Sequence, residues 1–290
     1  MASWRDYFQL MKVRIAGLLL LVALAGYVAT TGTAVDGARL CGLLLAGLLA
    51  STGSSVVNSY VDRDIDPLMD RTRRRALPMG RIDPPEKVLA FGSILIGAGL
   101  AVAWLLDNPL TAGFIALGAA TYLGVYTIAL KRRNETNIVI GGFAGSCPAL
   151  AGSAAAIGAV SLPAALLALL VFLWTPGHFW ALAFRQREDY LRAGLPMLSA
   201  TRGERTAVLA IAASSMIVAA AALLFALTPA FGVTYAAVAL ATAAGLVVVT
   251  WRFSRAPGPA TAWAGYKFSS AYLGILLAGI ILDAMFRIRL

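Results

Sequence analysis

Nine long apolar segments run along the chain, and they limit the folds open to it more than any other feature. They fall near residues 15–34, 39–60, 88–106, 110–129, 137–158, 162–184, 206–227, 230–251 and 268–286. About 20 apolar residues are enough for a helix to cross the hydrocarbon core of a bilayer. Only 13% of the 290 residues are charged, roughly half the share in an average soluble domain. The sequence therefore predicts an all-α, polytopic membrane bundle of about nine transmembrane helices, forming one domain over residues 1–290.

The basic residues are distributed unevenly between the two ends of the predicted bundle. Of the 24 Lys and Arg residues, only Arg39, Arg287 and Arg289 fall at one end. Because basic loops are retained on the cytoplasmic side of a membrane, the pattern predicts a cytoplasmic N-terminus and a C-terminus outside. Topology and attraction to anionic membrane lipid account for the net charge of +10, so no nucleic-acid partner is expected.

Acidic residues are rare, but four of the 14 crowd together after the second apolar segment: Asp62, Asp64, Asp66 and Asp70. Asn58, Asp62 and Asp66 are spaced i, i+4, i+8, which places them on one face of a helix, while Asp64 points elsewhere. Pro67 predicts that the regular helix ends just after Asp66. Carboxylates stacked on one face repel each other. The row therefore predicts a site for Mg²⁺, which prefers a few carboxylates together with phosphate oxygens.

Basic residues follow on the same end of the predicted bundle. Some come directly after the acidic row, others end the fourth segment, and five arginines follow the sixth. Arginine forks bind phosphate oxygens through two parallel hydrogen bonds. Together with the acidic row they predict a pyrophosphate site, whose candidate residues are Arg71, Arg75, Lys131, Arg132 and Arg133.

A second dense region lies at the end of the sixth segment. It holds the only histidine of the chain, His178, between Trp174 and Trp180. Aromatic residues at this depth are often membrane-interface residues, and a single histidine is more often structural than functional. The alternative is a pocket for a large flat or apolar ligand, and the sequence leaves both interpretations open.

Three stretches of the chain together resemble the UbiA-type intramembrane prenyltransferases, and among them the branch that farnesylates haem. The first stretch is the row from Asn58 to Asp66 with the residues that follow it, up to Gly80. The second runs from Tyr126 to Gly142, and the third from Trp174 to Leu198. The resemblance covers about residues 10 to 285. The wider superfamily has a second D-x-x-x-D motif, and Asp189 and Tyr190 stand in that region here.

The resemblance implies a UbiA-like fold, a bacterial cell (inner) membrane location and a reaction. Farnesyl diphosphate would be the donor, bound at the cytoplasmic face on Mg²⁺ held by Asn58, Asp62 and Asp66. Haem b would be the acceptor, as a substrate and not a prosthetic group, and its product would be haem O. A haem A synthase or oxidase assembly factors would be partner proteins. The implied catalytic residues are Asn58, Asp62, Asp66 and Asp189, and the implied acceptor pocket is formed by His178, Trp180, Tyr126 and Tyr190.

Two other functions fit parts of the sequence. A prenyltransferase of the same superfamily acting on a quinone precursor or another aromatic acceptor would share the acidic row. A secondary transporter would place its ionisable residues near the bilayer midplane, whereas the acidic residues here lie at the ends of the segments.

Overall fold

Nine helices long and apolar enough to cross a membrane lie within residues 3–286, the part of the chain that the computed structural model describes. The predicted number is confirmed, while Arg287 and Arg289 lie outside the described residues. The helices are α1 (Val13–Thr31), α2 (Gly37–Val61), α3 (Glu86–Asp107), α4 (Pro109–Leu130), α5 (Asn137–Ile157), α6 (Leu162–Arg185), α7 (Gly203–Phe225), α8 (Val233–Arg255) and α9 (Pro259–Phe286). Shorter helices span Trp4–Leu10, Asp66–Leu68, Arg187–Arg192 and Leu198–Thr201.

The nine helices form a closed ring. Each packs on its neighbours in the sequence, and α9 packs on α1. In addition, α1 packs along α5, where Gly26 and Gly152 allow the two backbones to touch. A Cβ atom at Gly26 would collide with the backbone of Ala149, and one at Gly152 with the backbone of Ala23. Small residues of this kind allow close helix contact inside membranes.

The largest apolar cluster joins α1, α5, α6, α7, α8 and α9. The polar groups inside it are hydrogen-bonded, as burial requires. The indole Nε1 of Trp174 on α6 donates to the backbone oxygen of Ser269 on α9 at 2.9 Å. The buried carboxylate of Asp283 on α9 accepts from the backbone N–H groups of Gly232 and Tyr235 at 2.8 and 3.1 Å. Asp283 therefore caps the start of α8 from a neighbouring helix.

Three loops meet at one end of the ring, which we call the basic end. They connect α2 to α3 (residues 62–85), α4 to α5 (residues 131–136) and α6 to α7 (residues 186–202). These loops carry half of the Lys and Arg residues and the aspartates of the acidic row, so this end of the bundle holds the candidate site.

Two predicted helix boundaries are wrong. The regular helix α2 ends at Val61, before Asp62, and not after Asp66. The N–H of Asp66 still bonds the carbonyl of Asp62 at 2.9 Å, but Pro67 has no N–H to continue the helical pattern. The last helix begins at Pro259 and not near residue 268, because Lys267 is exposed and therefore does not interrupt the helix.

Candidate active site

The row of oxygen-bearing side chains lies where α2 enters the basic end. Asn58, Asp62 and Asp66 are only 4%, 3% and 2% exposed. The amide Nδ2 of Asn58 donates to Oδ2 of Asp62 at 3.0 Å and to Oγ1 of Thr127 at 3.2 Å. Thr127 belongs to α4, whose wider π-type winding over Thr121–Leu130 brings its hydroxyl to the row. The structure therefore brings the three predicted residues together, although Asp62 and Asp66 lie after the end of α2 and not on a continuous helix.

A cationic side chain covers each member of the row. Lys12 Nζ donates to Oδ1 of Asn58 at 2.9 Å. Lys131 Nζ donates to Oδ2 of Asp62 at 2.5 Å, and Arg75 Nη1 to Oδ2 of Asp66 at 3.0 Å. These cations come from three separate parts of the chain. Burial of a carboxylate is tolerated where it is paired and hydrogen-bonded, and each aspartate of the row has such a cationic partner.

Sequence reasoning missed Lys12, which lies directly before α1 and 46 positions from Asn58. Its backbone adopts φ +49°, in the left-handed region that a non-glycine residue rarely occupies. Loss of water around its amine, together with the Arg75 guanidinium, lowers the pKa of Lys12 to about 7. The one feature of the sequence that could have indicated a role for Lys12 in the site is its position as a basic residue at the start of the first span.

The other acidic residues lie outside the row. The carboxylate of Asp64 is more than half exposed and binds the guanidinium of Arg132 through two hydrogen bonds of 2.7 Å. These hydrogen bonds lower the pKa of Asp64. Asp189 binds the guanidinium of Arg192 and accepts from the backbone N–H of Asp70 at 3.3 Å. The structure thus places Asp189 in a contact between two loops.

The row has the properties of a divalent-cation site. Oδ1 of Asp62 is buried and has no hydrogen-bond partner within the described residues. Such an oxygen is a free ligand position, and an amide oxygen and carboxylates suit Mg²⁺. No group of three His, Cys, Asp or Glu side chains is placed to hold a metal between residues 3 and 286. A cation here would therefore take further ligands from a bound substrate.

The remaining candidates for binding a diphosphate surround the row at different distances. Arg132 Nη2 lies 3.9 Å from Oδ1 of Asp62 and donates to the backbone oxygen of Val61 at 2.9 Å. Arg71 and Arg133 are exposed at the basic end. Only Arg75, Lys131 and Arg132 of the five predicted residues thus touch the row directly.

Aromatic residues form the wall beside the row. Tyr126 and Trp180 pack on a cluster that includes Tyr190 and Ile65, and Ile65 lies between two aspartates of the acidic stretch. Burial raises the pKa of Tyr190, and the nearby Arg71 guanidinium opposes part of that rise. The cluster therefore connects three of the four predicted acceptor-pocket residues, Tyr126, Trp180 and Tyr190, to the row, whereas His178 is not part of it.

His178 itself is buried between two other rings. Its imidazole stacks on Trp174 and on Tyr266, with centroid distances of 4.1 and 4.4 Å. Tyr266 was also missed, because the sequence assigned it to the loop before the last span. The feature of the sequence that could have indicated it is the spacing of three positions between Trp263 and Tyr266, which places both rings on one face of a helix.

The sequence is similar to those of a family of known proteins. A family model described as "UbiA prenyltransferase family" matches residues 19–272. Protoheme IX farnesyltransferase 1 of Cenarchaeum symbiosum is 44% identical over 245 residues, which are 84% of this chain and 82% of the relative. Protoheme IX farnesyltransferase of Pyrobaculum neutrophilum is 42% identical over 275 residues, 95% of this chain and 98% of the relative.

Solved structures have the same fold at low sequence identity. A structure described as digeranylgeranylglyceryl phosphate synthase in membranes has a TM-score of 0.80 at 20% identity, covering 97% of this chain and 98% of its own. A UbiA homologue from Archaeoglobus fulgidus, bound to GPP and Mg²⁺, has a TM-score of 0.66 at 17% identity, covering 95% and 99%.

Proposed function

The chain belongs to the UbiA prenyltransferase family, and we propose that it transfers a farnesyl group from farnesyl diphosphate to a vinyl group of haem b. Addition of water then gives haem O, and pyrophosphate is released. Relatives that match nearly the whole chain at 41–43% identity are named protoheme IX farnesyltransferases. We also propose a bacterial cell membrane as its location, with the N-terminus and the active site on the cytoplasmic side and the C-terminus outside.

One observation carries this proposal: a buried row of metal-type ligands in which each member is covered by its own cation. A site for a divalent cation alone would need the carboxylates but not the cations. A site for a phosphate alone would need the cations but not the carboxylates. Lys12, Lys131 and Arg75 beside Asp62 and Asp66 provide both, as a diphosphate bound together with Mg²⁺ requires.

The donor would bind with its diphosphate over the row. Lys12, Lys131 and Arg75 already lie within hydrogen-bond distance of the row, so small side-chain movements bring them to phosphate oxygens. Arg132 lies 3.9 Å from Oδ1 of Asp62, and Arg71 and Arg133 are exposed further out at the basic end. All three would add positive charge around the diphosphate. The residues that would hold Mg²⁺ are Asn58, Asp62 and Asp66. Bound there, Mg²⁺ supplies positive charge that stabilises the leaving diphosphate.

The protein must then control an allylic cation. The bond between farnesyl C1 and the diphosphate oxygen breaks, and both electrons leave with pyrophosphate. The π electrons of a haem vinyl group form the new carbon–carbon bond, and the cation formed beside the porphyrin takes up water and loses a proton. Until that last step water must be absent, because it would capture the first cation. The burial of Asp62 and Asp66 supports such exclusion.

The test is pigment analysis of membranes from a haem O-deficient host that expresses the chain or its Asp62→Ala variant. We expect haem O from the unmodified chain and a loss of at least about 100-fold with Asp62→Ala. The matched control is Glu86→Ala, which removes an exposed carboxylate at the start of α3 and should retain most of the activity.

Each other result has a defined meaning. Absence of haem O from well-expressed, folded chain would contradict haem b as the acceptor and favour another aromatic acceptor. Equal haem O from the unmodified chain and Asp62→Ala would contradict the assignment of the row as the donor site.

A further inference from the structure

Four aromatic rings form a continuous stack between α6 and α9. Trp174 stacks on His178, His178 on Tyr266, and Tyr266 on Trp263, with centroid distances of 4.1, 4.4 and 5.1 Å. The planes of successive rings differ by at most 26°. Because both faces of the imidazole are covered, His178 can bind another group only through its ring edge.

That edge carries an unused polar atom. His178 is 9% exposed, and its Nδ1 is buried without a hydrogen-bond partner in the described part of the chain. A buried nitrogen without a partner destabilises the protein unless a ligand uses the ring. An imidazole whose orientation is fixed by stacking and whose Nδ1 has no hydrogen-bond partner can serve as a ligand for iron.

The opposite end of the stack is cationic. The Arg185 guanidinium lies 4.7 Å from the centre of the Trp263 ring, and the Lys267 ammonium lies 5.9 Å from it. Both side chains are exposed at the basic end. The stack therefore runs from a buried nitrogen ligand, along an apolar aromatic edge, to two cations at the surface.

We propose that haem b binds along the edge of this stack, with the His178 imidazole as axial ligand to the iron and Arg185 and Lys267 paired with the propionates. This inference rests on the proposed function, since it places the acceptor of that reaction. The geometry supports it in a simple way. An axial Fe–N bond lies in the plane of the imidazole, and the porphyrin is perpendicular to that bond. The axis of the stack, which is perpendicular to the ring planes, is therefore parallel to the porphyrin plane. The haem would thus extend along the edges of the four stacked rings.

This orientation also explains how the acceptor meets the donor. The propionates and the vinyl groups lie at different edges of haem b. With the propionates at Arg185 and Lys267, the vinyl edge points into the bundle. Trp180 packs on the cluster that holds Tyr190 and Ile65 and also on a second cluster against which Tyr266 packs, so aromatic packing joins the stack to the row.

The first experiment tests the iron ligand. Ferric haem b and iron-free protoporphyrin IX are titrated into the purified chain in lipid nanodiscs, with absorption and electron paramagnetic resonance spectra recorded. We expect an imidazole-ligated iron spectrum, and about tenfold weaker binding of protoporphyrin IX. His178→Ala should lose that spectrum, and imidazole added to the solution should restore it. His178→Gln serves as a second variant if His178→Ala does not fold. An unchanged spectrum in a folded His178 variant would overturn the proposal.

The second experiment tests the propionate contacts. Arg185→Ala and Lys267→Ala should each raise the Kd for haem b about tenfold. Neither should change the Kd for haem b dimethyl ester, whose carboxylates are blocked. Lys87→Ala is the matched control, because Lys87 is exposed on α3, away from the stack. Equal effects on haem b and on the ester would overturn this part.

Haem O formation in the same preparation separates this inference from the proposed function. An imidazole-ligated spectrum without haem O formation would contradict the proposed function alone. Haem O formation together with an unchanged His178→Ala spectrum would contradict the inference alone.

Discussion

Lys12 shows how a single residue can complete a site that the local sequence does not indicate. Its ammonium reaches Asn58 from the start of α1, and its backbone is held in the left-handed region. A left-handed conformation costs roughly 1–2 kcal/mol for a residue with a side chain. Such a conformation persists where the surrounding structure holds it, commonly at functional sites.

Replacing Lys12 by Met removes this charge while keeping a long side chain. We expect the KM for farnesyl diphosphate to rise about tenfold, because a charge-assisted hydrogen bond to the diphosphate is lost. Lys12→Arg should restore most of the affinity. The measurement is prenyl transfer at varied donor concentration, with Arg14→Met as the exposed control. Equal KM values for Lys12→Met and Arg14→Met would show that Lys12 does not contact the donor.

The spacing of Asn58, Asp62 and Asp66 was predictable because it depends on neighbours in the chain. The cations that cover these residues were predictable only in part. Arg75 follows the row within nine residues, and Lys131 stands in a basic run. Lys12 and Tyr266 depend on which helices pack together, and no local pattern carries that information.

At the scale of helices, the contact between α1 and α5 depends on two glycines. The site lies between the loops that these and the neighbouring helices carry, so a shift of α1 would also move Lys12. The contact thus connects membrane packing to the geometry of the row.

Gly26→Ala tests that contact. Its added Cβ would meet the backbone of Ala149, which cannot move aside as a flexible side chain could, so we expect destabilisation of about 1–3 kcal/mol. Gly17→Ala lies on the same helix with nothing within 4 Å of the added atom, and it should change stability little. Thermal unfolding in detergent compares the two variants. Equal Tm values for the two variants would show that α1 and α5 can move apart without loss of stability.

Hydrophobic length and composition were sufficient to predict nine spanning helices, since both properties are local. The ends of the helices were harder to predict from the sequence. The end of α2 depends on Pro67 and on a hydrogen bond from Thr72 Oγ1 to the carbonyl of Asp66 at 2.7 Å. The early start of α9 depends on the exposure of Lys267. Both are tertiary facts, and a hydropathy profile does not contain them.

At the scale of the whole molecule, three loops of the basic end are joined in pairs. Arg132 on the loop 131–136 binds Asp64 on the loop 62–85. Glu135 on the loop 131–136 binds Arg202 at the end of the loop 186–202. Arg192 binds both Asp70 and Asp189, which connects the remaining pair of loops: 62–85 and 186–202. The cover over the site is therefore a single connected unit.

Arg192→Ala should separate two of these loops. We expect faster hydrogen–deuterium exchange in residues 66–80 and 187–195, with little change in Tm because ion pairs between exposed side chains stabilise a fold little. Arg252→Ala, also exposed, is the control. Unchanged exchange in both segments would show that the ion pair does not hold the loops.

Mild acid should not have the same effect as this variant. The Arg192 guanidinium lowers the pKa of Asp70 below its ordinary value of 3.8. The contribution of such a pair is complete above the ordinary value and is lost only as the pH falls through the lowered one. Protection of the two segments, corrected for the pH dependence of intrinsic amide exchange, should therefore be the same at neutral and at mildly acidic pH.

The cations that cover the row have a consequence for the charge balance of the reaction. Two buried aspartates and three covering cations, Lys12, Lys131 and Arg75, leave the group with one excess positive charge when all five are ionised. A diphosphate ester carries roughly three negative charges at neutral pH. Two further positive charges make the complex electroneutral, and one divalent ion supplies them. On this balance, when all five groups are ionised, one divalent ion is enough for the donor to be held in the membrane without a net charge.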